Sequence, residues 1–167
     1  MKFAGLSPTE LRRYRNSKLY RPLARIMRVY NRRLVEGLHW AGFEDFSPAF
    51  PALLSNLDTE GTRIGVLASR AGVTRQAASQ LVTEIERCGY VERRVAKEDA
   101  RATVITFTAR GRKLLSTVLA LVEEIEASFG AVVGQREFEK LRAQLLALAD
   151  AVDPIGAFGK DDETPKG

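Results

Sequence analysis

LASRAGVTRQAASQLV, residues 67–82, has the form of two short helices joined by a tight turn. Such a pair needs a small residue where the helices cross, here Ala68, and a residue that tolerates positive φ in the turn, here Gly72. Ala78 and Leu81 are apolar at the spacing that seats the second helix on the first. The stretch therefore predicts a helix-turn-helix, although helical hairpins with small residues also occur as plain packing units.

The outward face of the second helix carries side chains suited to DNA. Arg and Gln can make bidentate hydrogen bonds to base edges, while Ser and Thr bond to phosphates or bases. Acidic residues would repel phosphates, and the leading turns have none, since Glu84 and Glu86 come only near the far end. A merely solvated helix would more often carry Glu/Lys pairs. The DNA-binding residues predicted on this helix are Thr74, Arg75, Gln76, Ser79, Gln80 and Thr83.

A charged hairpin follows the two helices. YVERRV (90–95) and ATVITF (102–107) alternate with period two and are rich in β-branched or aromatic residues, which predicts two strands. A helix-turn-helix followed by such a ribbon is a winged helix, whose tip would lie beside DNA. At that tip Asp99 would orient Arg101, leaving its guanidinium to enter the minor groove. Further phosphate contacts are predicted for Arg93, Arg94 and Lys97; the alternative is a solvated turn of balanced charge.

The flanking segments predict long helices. SPTE (7–10) has the form of a capping box, and apolar residues then recur at three- and four-residue steps. Pro22 lies inside this pattern and predicts a kink or break just before it. The helix is expected to end at Gly42, and a short helix to begin behind Ser47 and Pro48. Thr74 and Thr108 are predicted caps, the latter of a long helix that precedes the last one.

The predicted fold is mainly α with a small β-hairpin wing. The apolar faces of the first and last helices are larger than a single subunit can bury, which favours burial in a symmetric dimer. The alternative is that the helices of one subunit cover one another. The predicted division is residues 1–46, an N-terminal helix in the dimerisation region; 47–108, the winged helix-turn-helix DNA-binding lobe; 109–153, the C-terminal helices of the dimerisation region; and 154–167, a disordered tail.

Composition narrows the classes of function. The 167 residues include one cysteine and one histidine, which excludes an intrachain disulfide and a Cys/His zinc cluster, so neither metal nor cofactor is expected. No apolar run reaches the roughly 20 residues of a membrane helix, so no membrane partner is expected either. The net charge of +5 favours polyanionic partners. The N-terminus lacks a secretory apolar core, which predicts a cytoplasmic protein; its arginines look like a transit peptide but fit a solvated helix face better.

The sequence contains no recognisable catalytic motif. A nucleophile–histidine pair would need His39, and no serine stands in a nucleophile-elbow context. Neither a phosphate-cradling glycine loop nor a regular carboxylate pair occurs. The chain is therefore not expected to be an enzyme.

The run from Leu67 to Gly111 resembles the core of the MarR family of transcriptional regulators. Members of that family show a helix-turn-helix, then Glu…Gly-hydrophobic-Val-x-Arg, then a wing with Asp-x-Arg, then a strand leading into Thr-x-x-Gly. The matching residues here are Glu86, Gly89, Tyr90, Val91, Arg93, Asp99, Arg101, Thr108 and Gly111. The chain departs from the family at Ala100, where many relatives have Arg, and at Phe107, where Leu is usual. The match is close over residues 62–111, and the helix order extends it to about 10–152.

The resemblance implies a homodimer joined through its N- and C-terminal helices. Two recognition helices would enter successive major grooves of a pseudo-palindromic operator in double-stranded DNA, usually as a repressor relieved by a small molecule. The competing hypothesis is a winged-helix protein-interaction module without direct DNA readout.

Members of this family often bind aromatic acids or phenols between the dimerisation region and the DNA-binding lobe. The aromatic segment from 39 to 50 would suit such a planar effector, or it would form core at the joint between the first two helices. The effector-binding residues that the resemblance implies are Tyr30, Leu34, His39, Trp40, Phe43, Phe46 and Phe50.

Cys88 lies at the C-terminal end of the recognition helix. Some relatives sense peroxide with a cysteine in the first helix, where this chain has none. The helix dipole disfavours a thiolate at a C-terminus and so raises the thiol pKa, although Arg87 could offset this effect. We therefore do not expect Cys88 to sense peroxide.

Overall fold

The computed structural model describes residues 5–95 and 103–152, which form a helical framework around a small sheet. In chain order the elements are α1 (Pro8–Asn16), α2 (Tyr20–Trp40), α3 (Pro51–Leu54), β1 (Thr62–Arg63), α4 (Ile64–Arg70), α5 (Arg75–Arg87), β2 (Val91–Val95), β3 (Thr103–Phe107), α6 (Ala109–Val133) and α7 (Gln135–Val152). The predicted class, mainly α with a small antiparallel sheet, is confirmed. The predicted tail, residues 154–167, lies outside the described residues.

Local signals correctly placed the start of α1 and the break before α2. Ser7 and Glu10 form the predicted capping box: the Ser7 hydroxyl accepts from the Glu10 amide at 3.3 Å, and the Glu10 carboxylate accepts from the Ser7 amide at 2.8 Å. The Ser7 hydroxyl also donates to the Glu10 carboxylate at 2.7 Å, and this bond, followed by the one from the Ser7 amide, lowers the Glu10 pKa. The helical pattern breaks between Asn16 and Tyr20, just before Pro22, as predicted. Pro22 falls in the first turn of α2, where its missing N–H leaves no hydrogen bond unmade.

One expectation about a short element is wrong, and one short strand was not predicted. The short helix begins at Pro51 and not behind Pro48, because residues 48–50 form turns in which the Ser47 hydroxyl accepts from the Ala49 amide at 3.3 Å. The predicted hairpin is confirmed as β2 and β3, and a third strand that was not predicted, β1, pairs antiparallel with β3 to give the order β1-β3-β2. A two-residue strand is too short to show a period in sequence, so only its partner reveals it.

The sheet connects the wing to the helices. Strands β2 and β3 pair from Val91↔Phe107 to Val95↔Thr103, and β1 adds Thr62↔Ile105 on the other side of β3. The described strands end at the pair Val95↔Thr103. Residues 96–102, where the wing tip is predicted, lie outside the described residues.

One continuous hydrophobic core joins the helix-turn-helix to α2 and α6. Its most completely buried members come from helices α2 to α6, from strands β2 and β3, and from the residue before β2; they include Leu38, Leu53, Leu67, Ala78, Val82, Ile85, Tyr90, Val91, Ile105 and Leu114. In contrast, α7 buries none of its residues, although it is rich in leucine. No helix of the described chain has the length and apolar character needed to cross a membrane.

Candidate nucleic-acid interface

Helix α5 presents the predicted polar face to solvent. Its buried face is Ala78, Val82 and Ile85, which hold the helix against the core. The predicted DNA-binding side chains lie on the other side: Thr74, Arg75, Gln76, Gln80 and Thr83 are exposed, and Ser79 is half-buried. The Thr74 hydroxyl accepts from the Ala77 amide at 3.2 Å, so the predicted cap begins the helix at Arg75. Uncapped amides and the helix dipole at this end favour anions such as phosphate.

The turn between α4 and α5 has the geometry that the sequence demands. Gly72 adopts φ +64°, a backbone conformation that residues other than glycine rarely adopt. The Val73 amide donates to the Ala68 carbonyl at 3.0 Å and closes the turn. The two helices are therefore fixed relative to one another by backbone geometry as well as by packing.

A half-buried arginine, which periodicity did not reveal, secures α4. Arg70 donates to Asp58 Oδ2 at 2.8 Å and to the Asn56 carbonyl at 3.1 Å, and its side chain is only 13% exposed. Asp58 also accepts from the Thr62 hydroxyl at 3.0 Å, which links the same carboxylate to β1. The arginine thus ties the first helix of the pair to the sheet and is not free to reach DNA.

The two arginines of β2 are placed differently. Arg93 is paired with Glu86 of α5 and donates to the Thr83 hydroxyl at 3.0 Å. Arg94 pairs at 2.5 Å with Glu92, a neighbour on the same strand, and its side chain is 63% exposed. Of these two predicted phosphate contacts, Arg94 has the more exposed side chain. The predicted wing-tip residues, Lys97, Asp99 and Arg101, lie outside the described residues.

The aromatic segment after α2 forms core. Phe43, Phe46 and Phe50 are buried and surround Tyr90, with ring centroids 6.1, 6.2 and 6.2 Å from the tyrosine ring. This arrangement agrees with the alternative hypothesis of a hydrophobic joint next to the first helices. Leu34 is buried as well.

The remaining predicted effector-binding residues lie elsewhere. Tyr30 packs against Phe129 of α6 with centroids 6.1 Å apart, and burial, then Glu126, raises its pKa. His39 Nε2 is 3.0 Å from the Phe46 carbonyl oxygen, whereas Trp40 is 92% exposed. Two cavities in the described part of the chain lie along α1 and the start of α2, and neither is lined by a predicted effector residue.

An aspartate that the sequence did not single out joins three elements. Asp45 accepts hydrogen bonds from the Tyr90 hydroxyl and, at 2.8 Å, from Arg110 of α6. The Arg110 guanidinium also lies 4.8 Å from the centre of the Tyr90 ring. Burial, then the bond to Asp45, raises the pKa of Tyr90, so its phenol stays protonated. These contacts hold the loop after α2 against the base of β2 and the start of α6.

Cys88 sits beside this cluster. Its Sγ lies 3.7 Å from the Asp45 carbonyl oxygen, and burial, followed by the charge of Asp45, raises the thiol pKa; Arg87 and Arg110 offset this only in part. A protonated thiol is a poor nucleophile toward peroxide.

We therefore expect hydrogen peroxide to leave DNA binding unchanged near neutral pH. A gel-shift titration with and without peroxide measures this, with Cys88→Ser as the control. The expectation would be contradicted if peroxide released DNA from the wild-type protein but not from Cys88→Ser.

The fold and these side chains define a winged-helix protein, and comparison with known proteins assigns its family. A family model described as "MarR family" matches residues 45–102. The HTH-type transcriptional repressor Rv2887 of Mycobacterium tuberculosis (strain H37Rv) is 32% identical over 101 residues, which is 59% of this chain and 73% of that protein.

Solved structures agree on the fold. The transcriptional repressor CouR bound to a 23-mer DNA duplex has a TM-score of 0.65 at 22% identity, over 86% of this chain and 98% of that one. CouR from Rhodococcus jostii RHA1 bound to p-coumaroyl-CoA has a TM-score of 0.63 at 20% identity, over 80% of this chain and 93% of that one. The chain belongs to the MarR family, whose members are DNA-binding transcriptional regulators and not enzymes.

Proposed function

We propose that the protein is a homodimeric repressor that binds a pseudo-palindromic operator in double-stranded DNA. The observation that carries the proposal is the polar face of α5, where Arg75, Gln76 and Gln80 are exposed while the opposite face is locked in the core. Similar support comes from Rv2887, described as a repressor, and from CouR, whose structure contains a DNA duplex.

The proposed contacts divide into base readout and phosphate binding. Arg75, Gln76 and Gln80 have the bidentate side chains that read base edges in the major groove, with Thr74, Ser79 and Thr83 beside them. Arg94, Lys97 and Arg101 supply phosphate or minor-groove contacts, with Asp99 orienting Arg101.

The apolar surface supports dimerisation through the terminal helices. Exposed apolar side chains on α1, at the N-cap of α2 and on its first half include Leu11, Tyr14, Leu19, Ile26 and Met27, and those on α7 include Leu141, Leu145, Leu146, Leu148 and Val152. Burial of such surface against a second copy is favourable because it removes apolar area from water. We accordingly divide the chain into a dimerisation region, residues 1–46 and 109–153, and a DNA-binding lobe, residues 47–108.

We also propose that a small aromatic effector relieves repression. CouR was solved with p-coumaroyl-CoA, which supports a ligand of this class. Of the predicted effector residues, Trp40 is 92% exposed and can stack on a planar ligand directly, whereas Phe43, Phe46 and Phe50 would contribute from the core beneath.

Selection of bound fragments from random DNA tests the function as a whole. The proposal predicts an inverted repeat with half-sites about one helical turn apart, since a two-fold dimer places its two recognition helices at that spacing. Recovery of fragments without a shared sequence would support a protein-interaction module instead.

The two glutamines of α5 give a narrower test. Gln76→Ala and Gln80→Ala should each relax the base preference at one position of the selected site and cost about 1–3 kcal/mol there, the worth of a bidentate base contact. Titrating each variant against single-base substitutions of the site measures this, with Gln144→Ala on α7 as a control of equal chemistry. Equal losses on selected and random DNA would count against base readout.

A further inference from the structure

One guanidinium joins the wing to the recognition helix α5. Arg93 Nη1 donates to Glu86 Oε2, and Nη2 donates to Thr83 Oγ1 at 3.0 Å and lies 3.4 Å from the Ser79 carbonyl oxygen. The Arg93 backbone amide donates to the other Glu86 oxygen at 3.2 Å. Ser79, Thr83 and Glu86 follow at four- and three-residue steps, so they line one face of α5. Strand β2 is thus attached to this face by both backbone and side chain.

Thr83 is part of the same arrangement. Its hydroxyl donates to the Ser79 carbonyl at 2.9 Å and accepts from Arg93. The hydroxyl hydrogen is therefore committed to the helix backbone, and the oxygen faces the arginine. Thr83 lies at the edge of the surface proposed to face DNA, and its hydroxyl hydrogen-bonds to other groups of the protein.

The neighbouring arginine has no such attachment. Within residues 5–95 and 103–152, the ion pair of Arg94 is with Glu92 on its own strand, and its side chain is 63% exposed, against 32% for Arg93. An exposed ion pair of this kind contributes little and is easily exchanged for a phosphate. The two adjacent arginines of β2 therefore differ in how available their charge is.

We propose that Glu86 and Arg93 form a brace that sets the position of the recognition helix relative to the wing, so that Arg93 is a positioning residue for base readout and not a phosphate contact. This inference rests on the proposed DNA-binding function. Base readout requires helix and wing to enter adjacent grooves together, and a fixed distance between them restricts which sequences satisfy both. In this brace Glu86, an acidic residue on the recognition helix, and Arg93 on the wing hold each other in place.

Arginine is suited to this role in a way that lysine is not. The planar guanidinium reaches Glu86 and Thr83 with two different nitrogens at once, whereas an ammonium is a single point charge. Arg93→Lys should therefore keep the charge and lose the brace. A phosphate contact would survive the same change, because lysine binds phosphate well as a point charge.

The test compares two carboxylates that each lie beside an arginine of β2. Glu86→Gln removes the brace acid, and Glu92→Gln removes the same charge next to Arg94 and serves as the matched control. Fluorescence anisotropy gives the affinity of wild type and variants for two probes: the duplex that wild type selects from random DNA, and a scrambled duplex of the same composition. Thermal melting verifies that each variant is folded at the assay temperature.

Glu86→Gln and Glu92→Gln should both bind the scrambled duplex at least as tightly as wild type, since each removes one negative charge that repels phosphate. Only Glu86→Gln and Arg93→Lys should lose preference for the selected duplex, by about tenfold, the lower end of what one bidentate base contact supplies. Arg93→Gln should leave the slope of log affinity against log salt unchanged, whereas Arg94→Gln should reduce its magnitude by about 0.9, the value of one phosphate contact.

Two results would overturn the brace. One is an unchanged preference for the selected duplex in Glu86→Gln, equal to that of Glu92→Gln. The other is a salt slope reduced as much by Arg93→Gln as by Arg94→Gln. A wild-type protein that binds neither duplex would instead contradict the proposed function, and the brace with it.

Discussion

Gly111→Ala is expected to destabilise the protein by about 3 kcal/mol or more, among the larger effects of a single methyl group. A Cβ built on Gly111 would lie 1.8 Å from the Tyr90 carbonyl oxygen and 3.1 Å from Phe107 Cδ1. The obstructing atom is backbone and cannot rotate away, since the same carbonyl accepts from the Thr108 amide at 3.1 Å. The start of α6 would have to move away from β2.

Thermal or denaturant unfolding measures this effect. A loss of that size corresponds to a melting temperature lower by about 6 °C or more for a chain of this length. Gly65→Ala is the matched control: nothing lies within 4 Å of its Cβ, it sits in α4, and its φ is not positive, so alanine there should stabilise by about 0.5–1 kcal/mol. A Gly111→Ala protein as stable as wild type would refute the close approach of α6 to β2.

Replacing Leu141 and Leu145 together with glutamate should convert the proposed dimer to monomers and weaken operator binding by about 10²- to 10⁴-fold. Both leucines are exposed on α7, which buries no residue within its own subunit. Two carboxylates in an apolar interface would each incur a desolvation penalty without a partner. Binding would then lose the gain that comes from joining two half-site contacts.

Light scattering gives the oligomeric state, and a titration with the selected duplex gives the affinity. Ala143→Glu adds a charge about 200° around α7 from Leu141 at 100° per residue, and should leave both quantities unchanged. A double-glutamate variant that remains dimeric would place the interface elsewhere. A monomeric variant with undiminished operator affinity would contradict cooperation between half-sites.

The features that sequence predicted well are those with local causes. Ser7, Thr74 and Thr108 each cap the helix that follows, through a bond to an amide three residues ahead, so the whole signal lies within four positions. The helix-turn-helix was equally readable because Gly72 and Ala68 satisfy a steric rule of the turn itself.

The features that sequence missed depend on residues far apart. Strand β1 exists because Thr62 and Arg63 meet β3, some forty residues later, and no pattern of two residues can announce that. The pairing of Arg93 on β2 with Glu86 on α5 is likewise a contact between two elements that the sequence pattern did not reveal. Asp45 hydrogen-bonds to Tyr90 and Arg110, which are far from it in sequence. Its adjacent residues in the sequence do not distinguish it from a solvated aspartate in a loop.

Apolar residues show a further limit of sequence patterns. Phe43 and Trp40 stand three residues apart in one aromatic segment, yet the first is buried and the second is 92% exposed. Hydrophobicity alone does not separate core from surface when a chain leaves a helix, because the direction of the turn decides which side chain points inward. The helix ends at Trp40, and Gly42, with φ +90°, redirects the chain toward the core.

The most direct test of the account is the salt dependence of duplex affinity. Wild-type protein, titrated with the selected duplex and with a scrambled one over a range of salt concentrations, should show log affinity falling linearly with log salt, with a slope near −0.9 for each phosphate contacted. The selected duplex should remain the tighter ligand throughout. A protein that binds neither duplex at low ionic strength, or whose affinity does not respond to salt, would contradict DNA binding by α5 and the wing.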